Sequence, residues 1–260
     1  MAKAQILLLA GMPRSGSTWM LRLLNELWVA RGAQDYTALR TQYHLEKHMT
    51  GGSALIELSL PRLLPILRPL LAGHSFAVKT HACPSGQTLG FISDLLLRGL
   101  SASRRLCTIY LYRDPRDAVL SGFEYGQRSL QIGKPNAFAE TFKTIEVGID
   151  WMDEYLQTCW PYWQRFPNTL VMRYEDLLTD FTTESGRLLR HLGLDSASEQ
   201  VQAILEKYQP GATPQVGTHF HKGMIGRFRH VFTLGQQVLC DTRYSQYLND
   251  MGYTQGERSD

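Results

Sequence analysis

Ile6-Leu7-Leu8-Leu9-Ala10-Gly11-Met12-Pro13-Arg14-Ser15-Gly16-Ser17-Thr18 is the stretch on which the reading of the fold turns. Its apolar run stops at Gly11, and a loop carrying a proline and a second glycine leads into a longer periodic segment. Short apolar runs fit strand or helix equally, so length and flanking punctuation decide. Both favour a buried strand over Ile6–Ala10, followed by a helix from about Ser17 to Arg31. Gly11 to Thr18 keeps the spacing of a nucleotide phosphate loop, G-x-x-x-x-G-K-[ST], with Ser17 where the lysine belongs. Backbone N–H groups and a helix N-terminus suit an oxyanion whatever the side chains are. The lysine of such loops reaches β- and γ-phosphates. Its replacement, with Arg14 placed earlier in the loop, points to an anion that has no γ-phosphate. A glycine-rich turn with no ligand is the plainer alternative.

The same alternation continues outward. Phe76-Ala77-Val78, Leu106–Tyr112 and Thr169–Met172 read as further strands. Asp114-Pro115 opens a helix, with Asp as N-cap and Pro at the first helical position, and Glu175–Leu192 reads as another helix. Short apolar strands separated by helices predict an α/β fold. We expect one domain over residues 1–254, a central parallel β-sheet flanked by helices, with a P-loop-like nucleotide-binding layout. Residues 255–260 read as a polar C-terminal tail. Ligands of such sheets bind beyond the carboxyl ends of the strands, so functional residues are sought just after each apolar run.

Composition narrows the classes. With 260 residues, 43% apolar and 20% charged, the chain is globular rather than disordered. A net charge of +3 is too mild for a nucleic-acid binder and compatible with a small anionic ligand. Cys83, Cys107, Cys159 and Cys240 are scattered and read as reduced thiols. The first apolar run is too short to span a membrane. Leu55–Leu71 carries Glu57, Arg62, Arg68 and three prolines, which exclude a regular spanning helix. The expectation is a cytoplasmic protein with no membrane and no nucleic-acid partner.

Candidate residues follow the strands. Lys79 and His81 come after the second; an imidazole at a strand's carboxyl end can take a proton near neutral pH, and a lysine beside it can hold an oxyanion. Arg113 leaves the third strand and Ser121 lies about two helical turns on, a pair able to grip a monophosphate. Arg116 and Asp117 read as solvated charges or a structural ion pair. Tyr174 follows the fourth strand, and His221, Lys222 and Gly223 form a later basic loop with a close-approach glycine. His219 and His221 have no companion ligand, so no metal site is expected.

Taken in order, these segments resemble the cytosolic-type sulfotransferases. Pro13-Arg14-Ser15-Gly16-Ser17-Thr18-Trp19 resembles the 5′-phosphosulfate loop P-[KR]-S-G-[ST]-[ST]-W. Lys79-Thr80-His81 resembles K-T-H-x-P, with the proline delayed to Pro84. Leu111 to Ser121 resembles the 3′-phosphate segment, Tyr174-Glu175-Asp176 the Y-E-D segment, and His221 to Arg229 the loop R-K-G-x-x-G-[DN]-[WH]-[KR]. The resemblance implies a donor, 3′-phosphoadenosine 5′-phosphosulfate (PAPS), with adenosine 3′,5′-bisphosphate (PAP) as product and no metal. It implies His81 as general base, and Lys79 and Arg14 stabilising charge on the transferred group. Arg14, Ser15, Gly16, Ser17 and Thr18 would hold the phosphosulfate, and Trp19 would stack on adenine. Arg113, Ser121, Tyr174, His221, Lys222 and Gly223 would complete the nucleotide site. The implied partner is a small-molecule acceptor with a hydroxyl or amine. Thr41–Leu71 and Gly122–Phe142 are placed to line its site. His221 stands where the family has arginine, and Arg229, Thr233, Leu234 and Val238 follow a dimerisation stretch only loosely, so the expectation is a monomer or weak homodimer. The alternatives are a phosphate-loop kinase, which would need Mg²⁺, and a non-catalytic nucleotide-binding protein of the same fold.

Overall fold

Residues 3–50, 54–55, 57–84, 88–212 and 224–253 are described by the structure, a computed structural model. They form two compact units: residues up to Met12, Gly16–Tyr112 and Tyr162–Pro214 in the first, and Pro13–Ser15, Arg113–Pro161 and the chain from Gln215 in the second.

The first unit holds the sheet. In chain order it contains β1 (Ile6–Gly11), α1 (Ser17–Ala30), α2 (Tyr36–Gln42), β2 (Met49–Thr50), β3 (Ala54–Leu55), α3 (Leu60–Leu71), β4 (Phe76–Thr80), α4 (Thr88–Ala102) and β5 (Leu106–Tyr112). The strands run in the order β2-β3-β4-β1-β5-β6, where β6 is Thr169–Arg173. β3 to β6 are parallel, with Leu8 of the central β1 level with Val78 and Thr108 on its two sides. The expected parallel sheet flanked by helices is thus present. One antiparallel edge is added to it, β2 against β3. Only three residues separate Thr50 from Ala54, too few for the crossover a parallel pair needs.

Alternating side chains of the strands enter two layers. Leu7, Leu9, Ala77, Ile109 and Leu111 pack with α1 residues Met20, Leu23, Leu24 and Leu27. Ile6, Leu8, Val78 and Leu106 face α3 and α4 through Leu63, Ile66, Leu97 and Leu100, around a small apolar cavity. Burial on both faces explains why β1 is apolar throughout rather than alternating.

Two boundaries differ from expectation. β4 runs on to Thr80, which takes Lys79 into the strand. The helix expected over Glu175–Leu192 is broken into α8 (Tyr174–Thr179) and α9 (Phe181–Leu192). Asp180 between them leaves helical geometry, and its carboxylate caps α9 by accepting from Thr183 N–H. The unit closes with α10 (Glu199–Tyr208).

The second unit is helical. It contains α5 (Pro115–Gln131), α6 (Ala137–Thr141), α7 (Ile145–Arg165) as far as Pro161, then α11 (Phe228–Val231), α12 (Leu234–Arg243) and α13 (Ser245–Asp250). Asp114 caps α5 as the sequence predicts, accepting from Arg116 N–H. Phe142 is fully buried under Gly122 and Gly148, where an added Cβ would come within 2.9 and 2.6 Å of its ring. Tyr244, also buried, donates to the Ile149 carbonyl. The described cysteines are all free thiols. Among the described residues no helix is long and apolar enough to cross a membrane.

Candidate active site

The first group of site residues belongs to the sheet unit. Met12 N–H donates to Leu111 carbonyl at 2.9 Å, so the loop leaves β1 tied to its neighbour. At Gly16 the backbone turns with φ +84°, and the edge of the Tyr174 ring fills the space a Cβ would need, at 2.6 Å. Glycine is required there twice over, by conformation and by packing. α1 starts at once with Ser17 and Thr18.

β4 ends against this loop. Lys79, nearly buried, donates from Nζ to Thr18 Oγ1 at 3.0 Å. His81 Nδ1 lies 2.7 Å from the Gly11 carbonyl oxygen. A carbonyl only accepts, so Nδ1 carries the proton, and in the neutral ring the lone pair is on Nε2. The buried Trp163 indole donates to the next carbonyl but one beyond Thr80, that of Ala82, at 3.2 Å. The loop after β1 thereby meets a cation and an imidazole brought by the neighbouring strand.

Trp19 and Tyr174 are both buried. Trp19 packs tilted on Phe181 with ring centroids 6.2 Å apart, and both Trp19 and Tyr174 belong to the core around α1.

The second group belongs to the helical unit. Arg14 adopts φ +67°, a left-handed conformation that only a few of the described non-glycine residues share. Its Nε donates to Ser121 Oγ at 3.2 Å, and its backbone carbonyl accepts from Arg113 Nη1 at 3.4 Å. The motif residues Arg113 and Ser121 are thus both joined to Arg14, which lies 99 and 107 residues before them. Burial pushes the Arg14 guanidinium down to about 10; the charges of Arg128 and Arg113 add to the shift, and Tyr125 and Glu124 oppose it. A buried guanidinium beside two other cations is a setting that an oxyanion ligand would relieve.

Arg113 is also held from below. Its Nη2 donates to Met224 carbonyl at 3.1 Å and faces Asp117 Oδ2 at 3.5 Å. Asp117 in turn accepts from Gly226 N–H at 2.7 Å and Phe228 N–H at 3.1 Å. Burial raises the Asp117 carboxyl, an effect that Arg113 and the two amides only partly offset. Arg116 is structural, as the sequence suggests. It is clasped by Asp114 and Asp241, each at 2.9 Å, and lies over the Phe228 ring.

His221, Lys222 and Gly223 lie outside the described residues. Of the two readings that the sequence leaves for Asp117, a solvated charge or a structural ion pair, the structure gives the ion pair, with Arg113 one turn before it. One contact of the Arg14 side chain has no signal in the sequence. Tyr125 stands one turn after Ser121, and its ring centroid lies 4.4 Å from the Arg14 guanidinium carbon. Among the described residues no cluster of three or more His, Cys, Asp or Glu could hold a metal ion.

Known proteins agree with this layout. The family model described as the sulfotransferase domain matches residues 5–252. Human sulfotransferase 4A1 is 26% identical over 153 residues, 56% of this chain and 53% of that protein. Cytosolic sulfotransferase 1 of Danio rerio is 22% identical over 268 residues, 96% of this chain and 84% of its own. The chain spans about half the length of the 4A1 relatives. In fold it is similar to mouse sulfotransferase SULT7A1, solved complexed with PAP, at a TM-score of 0.59 and 15% identity, covering 97% of this chain and 88% of that one.

Proposed function

The chain belongs to the sulfotransferase family, and on that premise we propose that it transfers a sulfuryl group from PAPS to a hydroxyl or amine of a small-molecule acceptor. One observation carries this reading: the two residues assigned to the chemistry at the end of β4 are both hydrogen-bonded to the segment that joins β1 to α1, His81 to Gly11 and Lys79 to Thr18. A kinase loop would spend its own lysine on a γ-phosphate; here a lysine arrives from the neighbouring strand instead.

Bound PAPS supplies a sulfuryl group on a 5′-phosphate that leaves as PAP. His81 orients and deprotonates the acceptor: the acceptor O–H or N–H proton passes to Nε2 while Nδ1–H stays on the Gly11 carbonyl, so the ring ends as imidazolium in a fixed orientation. Lys79 and Arg14 bind oxygens whose charge grows during transfer, and being already held in place they reorganise little. Arg113 and Ser121 bind the 3′-phosphate, with Ser15, Gly16, Ser17 and Thr18 on the 5′ side and Trp19 and Tyr174 shaping the nucleotide site. The donor set fits an anion: it consists of guanidinium, ammonium, hydroxyl and backbone N–H groups, and the buried carboxylate that faces Arg113, that of Asp117, already accepts two amide bonds. His221, Lys222 and Gly223 are proposed to act on the same phosphate. The reaction needs no divalent metal because the donor has no polyphosphate to neutralise. A cytoplasmic setting and a monomeric or weakly dimeric state belong to the same proposal, the first resting on the free thiols.

The test is thermal protection. PAP should raise the melting temperature in the presence of EDTA, by several degrees at a hundredfold excess over its Kd. ATP with Mg²⁺ should do little. Protection by magnesium–ATP alone would replace this reading with the kinase.

A further inference from the structure

We propose that Tyr125 is a positioning residue for Arg14, its ring holding the guanidinium in the orientation used on the donor; the inference rests on the reading of Arg14 given above. Arg14 sits on a left-handed backbone and carries a long side chain with four rotatable torsions, so neither its loop nor its own stereochemistry selects one direction for the guanidinium. Three contacts from the same helical unit do. Ser121 Oγ receives Nε–H. The Tyr125 ring lies under the guanidinium at 4.4 Å, and the Phe138 ring lies at 5.7 Å. Both distances are inside the range where a ring face attracts a cation.

The ring is itself held in place. Tyr125 and Phe138 meet edge to face with centroids 5.6 Å apart. At Gly126, the next residue, an added Cβ would lie 2.8 Å from the Phe138 carbonyl oxygen. α6 therefore rests directly on the α5 backbone, which sets the Phe138 ring beside Tyr125. Phe138 also packs on Phe142, buried under Gly122 and Gly148. The support thus runs from a fixed core to Tyr125 and from Tyr125 to Arg14.

This division of labour has a chemical rationale. The ring face and the hydroxyl give the guanidinium a direction without neutralising it, so they take none of its charge from the donor's oxygens.

Two measurements on the full chain test the proposal. The first is the ¹⁵N–¹H spectrum of the arginine Nε groups, with the Arg14 signal assigned by its loss in Arg14→Lys. The ring current of Tyr125 should shift that signal upfield. Tyr125→Leu should return it toward the ordinary arginine position, and Tyr125→Phe should keep it. The second is release of PAP from PAPS with water as acceptor, which needs no knowledge of the natural one. Tyr125→Leu should lower kcat by about 3- to 30-fold, the range such a contact spans, with the KM for PAPS changed by less than the kcat and Tyr125→Phe close to wild type. In an Arg14→Ala background Tyr125→Leu should add nothing, because a residue that acts through another has no effect once that other is gone. Tyr125→Gln serves as a second ringless variant, with melting temperatures recorded for all. An Arg14 signal unmoved in both ringless variants would overturn the proposal, as would an undiminished loss of rate in the Arg14→Ala background. Full turnover in Arg14→Ala with the signal still moving would instead remove Arg14 from the reaction, and with it the reading on which the proposal stands.

Discussion

The two groups of site residues are held by different sets of partners. In the sheet unit, His81 and Lys79 are fixed by hydrogen bonds to a neighbouring loop whose backbone is itself pinned at Met12 and Gly16. In the helical unit, Arg14, Arg113 and Ser121 are fixed by charge, ring faces and a buried carboxylate, and their partners come from α5 and from the chain after Met224. The carbonyl on His81 Nδ1 suits a group whose tautomer and direction matter, since a proton is passed along one line. The mixed carbonyl, hydroxyl, ring and carboxylate contacts of Arg14 and Arg113 suit groups that answer a diffuse negative charge, where a small shift costs little. Substitutions of His81 and Lys79 should therefore act on turnover, and those of Arg113 and Ser121 on donor affinity, while Arg14, which joins the second group to the chemistry, acts on turnover as well.

The largest effect should fall on the first group. His81→Ala is expected to lower kcat by about 10²–10⁴-fold with PAP affinity nearly kept, the span for loss of a general base. Calorimetric titration with PAP beside steady-state rates separates the two, and a parallel loss of affinity would blur the contrast between the groups. Next comes Arg113→Ala, which should weaken PAP binding by about 2–5 kcal/mol, as when one partner of a buried charge contact is truncated. It also leaves Asp117 facing no guanidinium, so a drop in melting temperature should accompany it. Affinity unchanged in that variant would take Arg113 out of the anchor role.

Gly16→Ala probes the hinge of the first group. A methyl there meets the Tyr174 ring at 2.6 Å on a backbone at φ +84°. The conformational part alone costs about 1–3 kcal/mol, and the Tyr174 ring must move as well. Gly16→Ala paired with Tyr174→Ala should recover only the packing part. Full recovery in the pair would mean that the backbone at Gly16 relaxes freely, and that the loop is less rigid than the comparison supposes.

How much of this was legible in the sequence follows from the same division. The loop from Gly11 to Thr18, Lys79, His81 and Arg113 could be read because each sits directly after an apolar run, where the end of a strand is itself a sequence signal. Cap residues were legible for the same reason: Asp114 and Pro115 carry their meaning locally. What stayed hidden depends on distant partners. Asp117 finds its amides at Gly226 and Phe228, and Tyr125 finds its cation at Arg14, contacts across about a hundred residues that no local pattern encodes. The short β2–β3 edge has too few residues for a period to register. The break at Asp180 was missed because an aspartate inside a periodic run reads as a helix surface charge until its capping bond to Thr183 is seen.

The smallest predicted effect sets the two units against each other in acid. In the sheet unit burial pushes the Glu26 carboxyl up, but hydrogen bonds from Lys207 and Tyr208 outweigh it and hold the group below its ordinary value. Asp35 behaves alike, burial being outweighed by Asn25 and the α2 amides. Carboxyls lowered in the fold stabilise it above their unfolded pKa, and that support is lost as pH falls through the folded value. Asp117 of the helical unit is shifted the other way by burial. Its ionised form is the less favoured one in the fold, so stability declines as pH rises from the unfolded pKa of about 3.8 through the raised folded value. Glu26→Gln should therefore flatten the loss of stability on acidification below pH 4.5, by a modest amount because the group is partly solvated. Asp117→Asn should remove a decline of the opposite slope, even if the loss of its bonds lowers stability at every pH. Urea midpoints taken across pH 3 to 7 read both slopes in one series. Parallel slopes in the two variants would mean that Asp117 is ionised as easily as a surface carboxylate, and the helical unit would then lack the buried, charge-compensated interior that distinguishes it from the sheet.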